Sequence, residues 1–284
     1  MGVIMDGKAL SQEIKAEIKG KINEITASGK RAPSLAVILV GNNPASQIYV
    51  RNKKNACAEA GITSIEHTLP EETTEEQLLE IIHKLNNDEN VDGILVQVPL
   101  PKGINEKKVI DSISPEKDVD AFSEINIGKY FLGIEKFLPC TPGGILHLLD
   151  KYNIDVAGKD CVVLGRSNIV GKPMALLLLA RNGTVTICHS KTKNLSEITK
   201  KADIIVSAIG KPNFVTSNMI KDGAVIVDVG INRLENGKIT GDVDFEGCKD
   251  KASYITPVPG GVGPMTIARL LLNTLEAYKS RFCL

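Results

Sequence analysis

Tyr49 and Lys53 stand four residues apart in Ser46 to Ala60, a stretch whose pattern predicts a helix, so their side chains share one face. Ser46 lies on that face one turn earlier. A Tyr–Lys pair can do acid–base work where burial disfavours the ammonium form. The same residues, beside Arg51 and Lys54, also read as an ordinary basic surface. Gln97 falls inside an apolar run, Ile94 to Val98, where an unpaired amide would cost roughly 1–3 kcal/mol. A core amide satisfied by backbone and a site residue at the carboxyl end of a strand both fit it. Asp118 and Asp120, in Lys117-Asp-Val-Asp120, suit loop solvation, a turn cap or recognition of N–H donors on a ligand. Two carboxylates alone make no metal site, and none is assigned.

A second set of residues has the makings of a phosphate site. Cys161-Val-Val-Leu164 is followed by Gly165-Arg-Ser-Asn-Ile-Val-Gly171-Lys-Pro173 and then by an apolar helical segment, Met174 to Leu179. Strand, glycine turn and helix N-terminus form an anion-binding geometry, because unpaired backbone N–H groups and the helix dipole point at the loop. The position suits the first turn of a Rossmann unit, although Ser167 stands where the second glycine of G-x-G-x-x-G would be. It is not a P-loop: five residues, not four, separate Gly165 from Gly171, and Pro173 replaces the Ser or Thr that would hold magnesium. A glycine turn without ligand is the plain alternative. After the next strand comes His189-Ser190-Lys191-Thr192, with no carboxylate to repel a ribose 2′-phosphate, and Arg166 can reach such a phosphate. NADP is therefore expected over NAD, against the alternative of solvated loop cations. Short-chain dehydrogenases also use Tyr-x-x-x-Lys, but after their dinucleotide loop, whereas here it comes more than a hundred residues before.

The elements that must position these residues read as alternating strands and helices, hence parallel α/β layers. Leu10 to Ile25 and Glu75 to Leu85 have helical spacing; Leu35 to Val40 and Val91 to Val98 read as buried strands, the second ended by Pro99-Leu-Pro101. Gly61 stops the helix from Ser46. Residues 112–142 read as loops and turns. Beyond them Cys161–Leu164, Val185–Cys188, Ile204–Ser207 and Val225–Asp228 read as strands, and Thr266 to Arg281 as a C-terminal helix after a glycine-rich hinge from Pro257 to Pro264. The fold class is α/β with two lobes: residues 1–120, joined by the C-terminal helix at about 264–284 packing back on them, and a Rossmann-like lobe, 121–263.

Composition narrows the function. The 284 residues carry 34 basic and 34 acidic side chains and only 4% aromatics, which argues against a nucleic-acid groove. No run approaches the roughly 20 apolar residues needed to cross a bilayer, so no membrane is expected. No signal peptide is evident, and Asp6 stands where a myristoylation signal needs Ser or Thr. The six cysteines form no C-x-x-C pair and suit reduced, mostly buried thiols in a cytoplasmic protein.

Six segments together resemble one family, the bifunctional methylenetetrahydrofolate dehydrogenase/cyclohydrolases. They are Ala45-Ser46-x-x-Tyr49-Val50-x-x-Lys53, Gly93-Ile-Leu-Val-Gln97-x-Pro99-Leu-Pro101 and Pro115-x-Lys117-Asp-Val-Asp120, then Pro139-Cys-Thr-Pro142, Gly165-Arg-Ser-x-x-Val-Gly171-x-Pro173 and Pro257-Val-Pro-Gly-Gly-Val-Gly-Pro-Met-Thr266. The resemblance implies a homodimer, each subunit having two α/β lobes that flank a cleft. It also implies NADP-dependent oxidation of 5,10-methylenetetrahydrofolate followed by hydrolysis to 10-formyltetrahydrofolate. By position, Lys53 resembles the catalytic lysine, supported by Tyr49 and Gln97, and Asp120 the pterin anchor. Pro259, Gly260, Gly261 and Gly263 resemble a substrate-contacting loop; Gly165, Arg166, Ser167, Ser190 and Ile231 resemble cofactor contacts. One departure stands out: Ala121 occupies a place where the family usually has glycine, and is strained if that turn needs φ > 0. A dehydrogenase without hydrolase activity, and a dinucleotide sensor that kept the fold, are the competing expectations.

Overall fold

The computed structural model describes residues 2–134 and 136–283; position 284 of the expected C-terminal segment and Met1 of the N-terminal reading lie outside the described residues. The chain opens with β1 (Val3–Ile4) and α1 (Gly7–Ala27). Next come β2 (Ser34–Val40), α2 (Pro44–Ala60), β3 (Thr63–Leu69), α3 (Glu75–Asn87) and β4 (Gly93–Val96). Three helices follow, α4 (Glu106–Asp111), α5 (Glu124–Phe131) and α6 (Cys140–Lys151). Then β5 (Asp160–Leu164), α7 (Gly171–Ala180), β6 (Thr184–Cys188), α8 (Leu195–Thr199), β7 (Ile204–Ser207) and β8 (Val225–Asp228) alternate. A short pair, β9 (Asn232–Arg233) and β10 (Ile239–Thr240), precedes α9 (Phe245–Cys248), β11 (Tyr254–Ile255) and α10 (Val262–Phe282).

Two compact units result: residues through Ser11 group with Thr141–Thr266, and Gln12–Cys140 with the segment from Ile267 onward. Residues 121–140, assigned from sequence to the second lobe, thus group with Gln12–Cys140. Phe137 and Cys140 are buried there, and Asn273 of α10 donates to the carbonyls of Val119 and Leu138. Residues 2–11 group the other way because β1 pairs in parallel with β11.

The Gln12–Cys140 unit holds a parallel three-stranded sheet in the order β3-β2-β4. Every residue of β2 is buried, as its unbroken apolar run requires. The chain passes from β2 by α2 to β3 on one side, then by α3 to β4 on the other, so the carboxyl ends of β2 and β4 mark a topological switch point. That is where open α/β sheets bind ligands. Asn43 caps α2 by accepting from Ala45 and Ser46 N–H, and Gly61 (φ 83°) ends it. β4 stops at Val96, two residues short of the expected strand end.

The Thr141–Thr266 unit holds a parallel six-stranded sheet in the order β1-β11-β8-β7-β5-β6. Its central strands bury Val162, Leu164, Ile205 and Ile226 in one apolar cluster. From β5 the chain goes to β6 on one side and then crosses to β7 on the other, so the loops after β5 and β7 flank a second switch point. α6 begins at Cys140-Thr-Pro142, which the sequence read as a turn; proline is tolerated there because a first-turn N–H has no intrahelical partner. For the same reason Pro264 sits in the first turn of α10, which therefore starts inside the expected hinge.

Candidate active site

α2 sets Tyr49 and Lys53 one turn apart, with Lys53 half-buried and Tyr49 39% exposed. Lys53 Nζ donates to Gln97 Oε1 at 3.0 Å. Gln97 Nε2 donates to the Val98 carbonyl at 2.7 Å, and its main-chain N–H to Ile38 at 2.8 Å. The second bond fixes the amide with its oxygen toward the ammonium. Gln97 is thus a paired, half-buried group at the carboxyl end of β4 and not an orphan inside a strand.

The two aspartates separate into different tasks. Asp118 is 1% exposed and accepts from Phe122 N–H, Ser123 N–H and Asn126 Nδ2, so it caps the turn. Asp120 is partly buried, and crowding by protein raises its carboxyl above the usual carboxylate range; the Lys53 ammonium and the Cys140 thiol pull the other way. Cys140 was not singled out from sequence. Burial, and then the charge of Asp120, push its thiol well above the ordinary value, which makes it a neutral donor and not a nucleophile. Lys53, Gln97, Asp120 and Cys140 therefore form one polar group: a cation, an orienting amide and a carboxyl held by a thiol. Such a group can move a proton at the ammonium and recognise N–H donors at the carboxyl.

Ala121, next to Asp120, has φ 59° and is buried. A left-handed alanine costs roughly 1–2 kcal/mol, partly offset in a glycine variant by the extra freedom of the unfolded chain. Ala121→Gly is therefore expected to stabilise the protein by about 0.5–1 kcal/mol in thermal or urea unfolding; a lower midpoint would refute the strain.

In the Thr141–Thr266 unit the turn after β5 brings Gly165, Arg166 and Ser167 to the switch point. Gly165 has φ 114°, and a Cβ there would lie 2.3 Å from the Ala208 carbonyl oxygen after β7. Sequence reasoning expected unpaired N–H groups at the start of α7, and the structure corrects this. Ser167 Oγ accepts from Val170 N–H (3.1 Å) and Gly171 N–H (3.3 Å), Lys172 N–H goes to the Ser167 carbonyl (3.0 Å), and Pro173 has no N–H. A hydroxyl that accepts twice keeps its own proton to donate, so Ser167 presents an O–H where a second glycine would present backbone. Arg166 and Ser190 are exposed. Ser190 sits in a turn closed by His189 N–H to Thr192 Oγ1 (2.9 Å) and Lys191 N–H to His189 Nδ1 (3.1 Å).

Two buried aspartates that sequence reading missed organise the neighbouring loops. Asp242, wholly buried, accepts from the N–H groups of Ile209, Gly210 and Lys211 and from Asn232 Nδ2. Asp228 accepts from Gly230, Asp242 and Val243 N–H; burial pushes its carboxyl up to about 6 despite those donors. Together they set the backbone on either side of Ile231, which is half exposed. The only sequence signal was an acid ending the run Val225–Asp228. Pro259, Gly260, Gly261 and Gly263 lie before and at the start of α10: Gly261 N–H donates to the Pro257 carbonyl, Lys8 N–H to Gly260, and Gly263 faces Ile231. Tyr49, Lys53, Gln97 and Asp120 thus belong to the Gln12–Cys140 unit, and the expected cofactor residues and the 259–263 loop to the Thr141–Thr266 unit.

The catalytic-domain model of tetrahydrofolate dehydrogenase/cyclohydrolase matches residues 5–120, and its NAD(P)-binding-domain model matches 139–282. The chain belongs to the tetrahydrofolate dehydrogenase/cyclohydrolase family. Within this family, the bifunctional protein FolD of Acetivibrio thermocellus is 59% identical over 276 residues, covering 97% of this chain and 96% of the relative. That of Aquifex aeolicus is 58% identical over 283 residues, covering 99% and 97%. Among solved structures, the FolD methylenetetrahydrofolate dehydrogenase/cyclohydrolase of Campylobacter jejuni superposes with a TM-score of 0.97 at 54% identity, covering 99% of this chain and all of the other. The Trypanosoma brucei enzyme, complexed with NADP cofactor and inhibitor, gives 0.95 at 37% identity with 99% and 98% coverage. The family's catalytic-domain match contains Tyr49, Lys53, Gln97 and Asp120, and its NAD(P)-binding match contains every expected cofactor residue.

Proposed function

We propose that this family member oxidises 5,10-methylenetetrahydrofolate with NADP to 5,10-methenyltetrahydrofolate and hydrolyses that cation to 10-formyltetrahydrofolate. The observation that carries the reading is the Lys53–Gln97–Asp120 group at the carboxyl ends of β2 and β4, inside the span matched by the catalytic-domain model. The methylene carbon lies between two nitrogens, so the cation left by hydride loss is stabilised by the substrate itself, and the first step is mainly one of positioning. Bound NADP supplies the hydride acceptor.

Asp120 recognises the pterin N–H donors, with the 259–263 loop (Pro259, Gly260, Gly261, Gly263) as a further substrate contact. In the second step water adds to the methenyl carbon, the bond from that carbon to N5 breaks, and the formyl group stays on N10 with net release of one proton. Lys53 fills the role of the group that takes up a proton from the attacking water and returns it to N5. Gln97 Oε1 orients it at 3.0 Å, and Tyr49 lies on the same helix face.

The residues of the Thr141–Thr266 unit fit a phosphorylated dinucleotide. Gly165 allows backbone to approach closely, Ser167 offers an O–H, Ser190 and Ile231 border the same strand ends, and no carboxylate follows β6. Arg166 and Lys191 are exposed cations for a 2′-phosphate. Purified protein should reduce NADP in the presence of methylenetetrahydrofolate, and Arg166→Ala should raise the KM for NADP by about tenfold or more while leaving that for NAD nearly unchanged. Equal losses for both dinucleotides would remove Arg166 from phosphate recognition, and no reduction with either would refute the dehydrogenase.

We further propose that the chain works as a homodimer in the cytoplasm on these small molecules. The open edge strand β6, with Ile187 exposed, offers a surface for a second copy, and all six cysteines are free thiols, as suits a reducing compartment. No described helix is long and apolar enough to cross a membrane.

A further inference from the structure

Asn273 of α10 is 0% exposed, and each polar atom of its side chain is engaged. Its Nδ2 donates to the carbonyls of Val119 (2.7 Å) and Leu138 (2.8 Å), and its Oδ1 accepts from Arg269 Nε (2.9 Å). Arg269 is itself buried and continues to Glu276 at 3.2 Å. The Val119 carbonyl belongs to the peptide whose nitrogen is that of Asp120. Asn273 therefore fixes the plane from which Asp120 projects. The Cys140 sulfur lies 3.4 Å from the same carbonyl oxygen. Beyond Asp120 the chain turns at once through the left-handed Ala121. A primary amide, with two N–H donors on one nitrogen, is suited to bridging two buried carbonyls; an apolar or acidic side chain of that size would leave both without their donor.

We infer that Asn273 is a positioning residue for folate binding, holding the Asp120 carboxyl where it meets the pterin N–H donors. The inference rests on the role given to Asp120 in the proposed function. Asp120 grips a part of the substrate away from the reacting carbon, so its misplacement weakens ground state and transition state alike. The effect belongs in KM for folate and not in kcat or in dinucleotide binding.

Asn273→Ala is expected to raise the KM for both methylene- and methenyltetrahydrofolate by about tenfold, with KM for NADP within about twofold of the parent. Leu271→Ala, at a fully buried apolar position on the same helix, serves as a control for mere destabilisation and should leave the folate KM unchanged. If Asn273→Ala does not fold, Asn273→Ser, which leaves at most one donor for the two carbonyls, is read in its place and should raise the folate KM by about threefold. An unchanged folate KM in the variant that is read, or an equal rise in Leu271→Ala, overturns the positioning role. Parent protein that turns over no folate would refute the functional reading itself, and the role with it.

Discussion

Lys53→Met is expected to lower hydrolysis of methenyltetrahydrofolate by about a thousandfold while NADP binds almost as before, since general acid–base groups contribute roughly 10²–10⁴ in rate. Methionine keeps the length and apolar stem of lysine, so the half-buried position on α2 stays filled. What disappears is the group that carries the proton, together with the bond to Gln97 Oε1. Gln97 then keeps its bonds to Val98 and Ile38, and the end of β4 keeps its geometry. The dehydrogenase step, which needs no proton transfer to the protein, should suffer less than the hydrolase step. Hydrolysis retained at the parent rate would remove Lys53 from the mechanism.

Gly165→Ala carries the other large effect, a loss of NADP affinity of about a hundredfold or more, because its φ of 114° is closed to alanine and its Cβ would stand 2.3 Å from the Ala208 carbonyl oxygen. That oxygen is backbone at the end of β7 and cannot swing away as a side chain would, so the turn itself must move. Calorimetric titration with NADP, beside a thermal melt of the same sample, separates lost binding from lost folding. A folded variant with the affinity of the parent would show that the turn does not approach the cofactor.

Much of the fold was legible because its strands are continuous apolar runs. Leu35–Val40, Cys161–Leu164, Ile204–Ser207 and Val225–Asp228 each became a strand within a residue or so. β3 was not legible. Thr63-Ser-Ile-Glu-His-Thr-Leu69 looks polar because it forms the outer strand of its sheet, and its pairing with all seven residues of β2 is a tertiary fact. Proline and glycine hid the starts of α6 and α10, since both residues are harmless in a first helical turn.

Within the site, spacing put Tyr49 and Lys53 on one helix face, but the partner of Lys53 lies 44 residues away, and only the folded sheet brings Gln97 to it. The same holds for Cys140 and Asn273, whose link to Asp120 depends on chain segments far apart in sequence. The anion-site reading of Gly165–Pro173 failed at one detail, a serine hydroxyl supplying the acceptor that a glycine cannot. Asp228 and Asp242 were invisible because a lone acid at a strand end looks the same whether it is solvated or gathers three buried amides.

Crystals of the protein grown with 5-formyltetrahydrofolate, which carries the one-carbon unit but has no methylene bridge to oxidise, show where the pterin sits. Pterin N–H donors are expected within about 3 Å of the Asp120 carboxylate, with Lys53 Nζ turned toward the formyl end. A pterin seated elsewhere, or an ammonium at residue 53 facing bulk water, would contradict this placement.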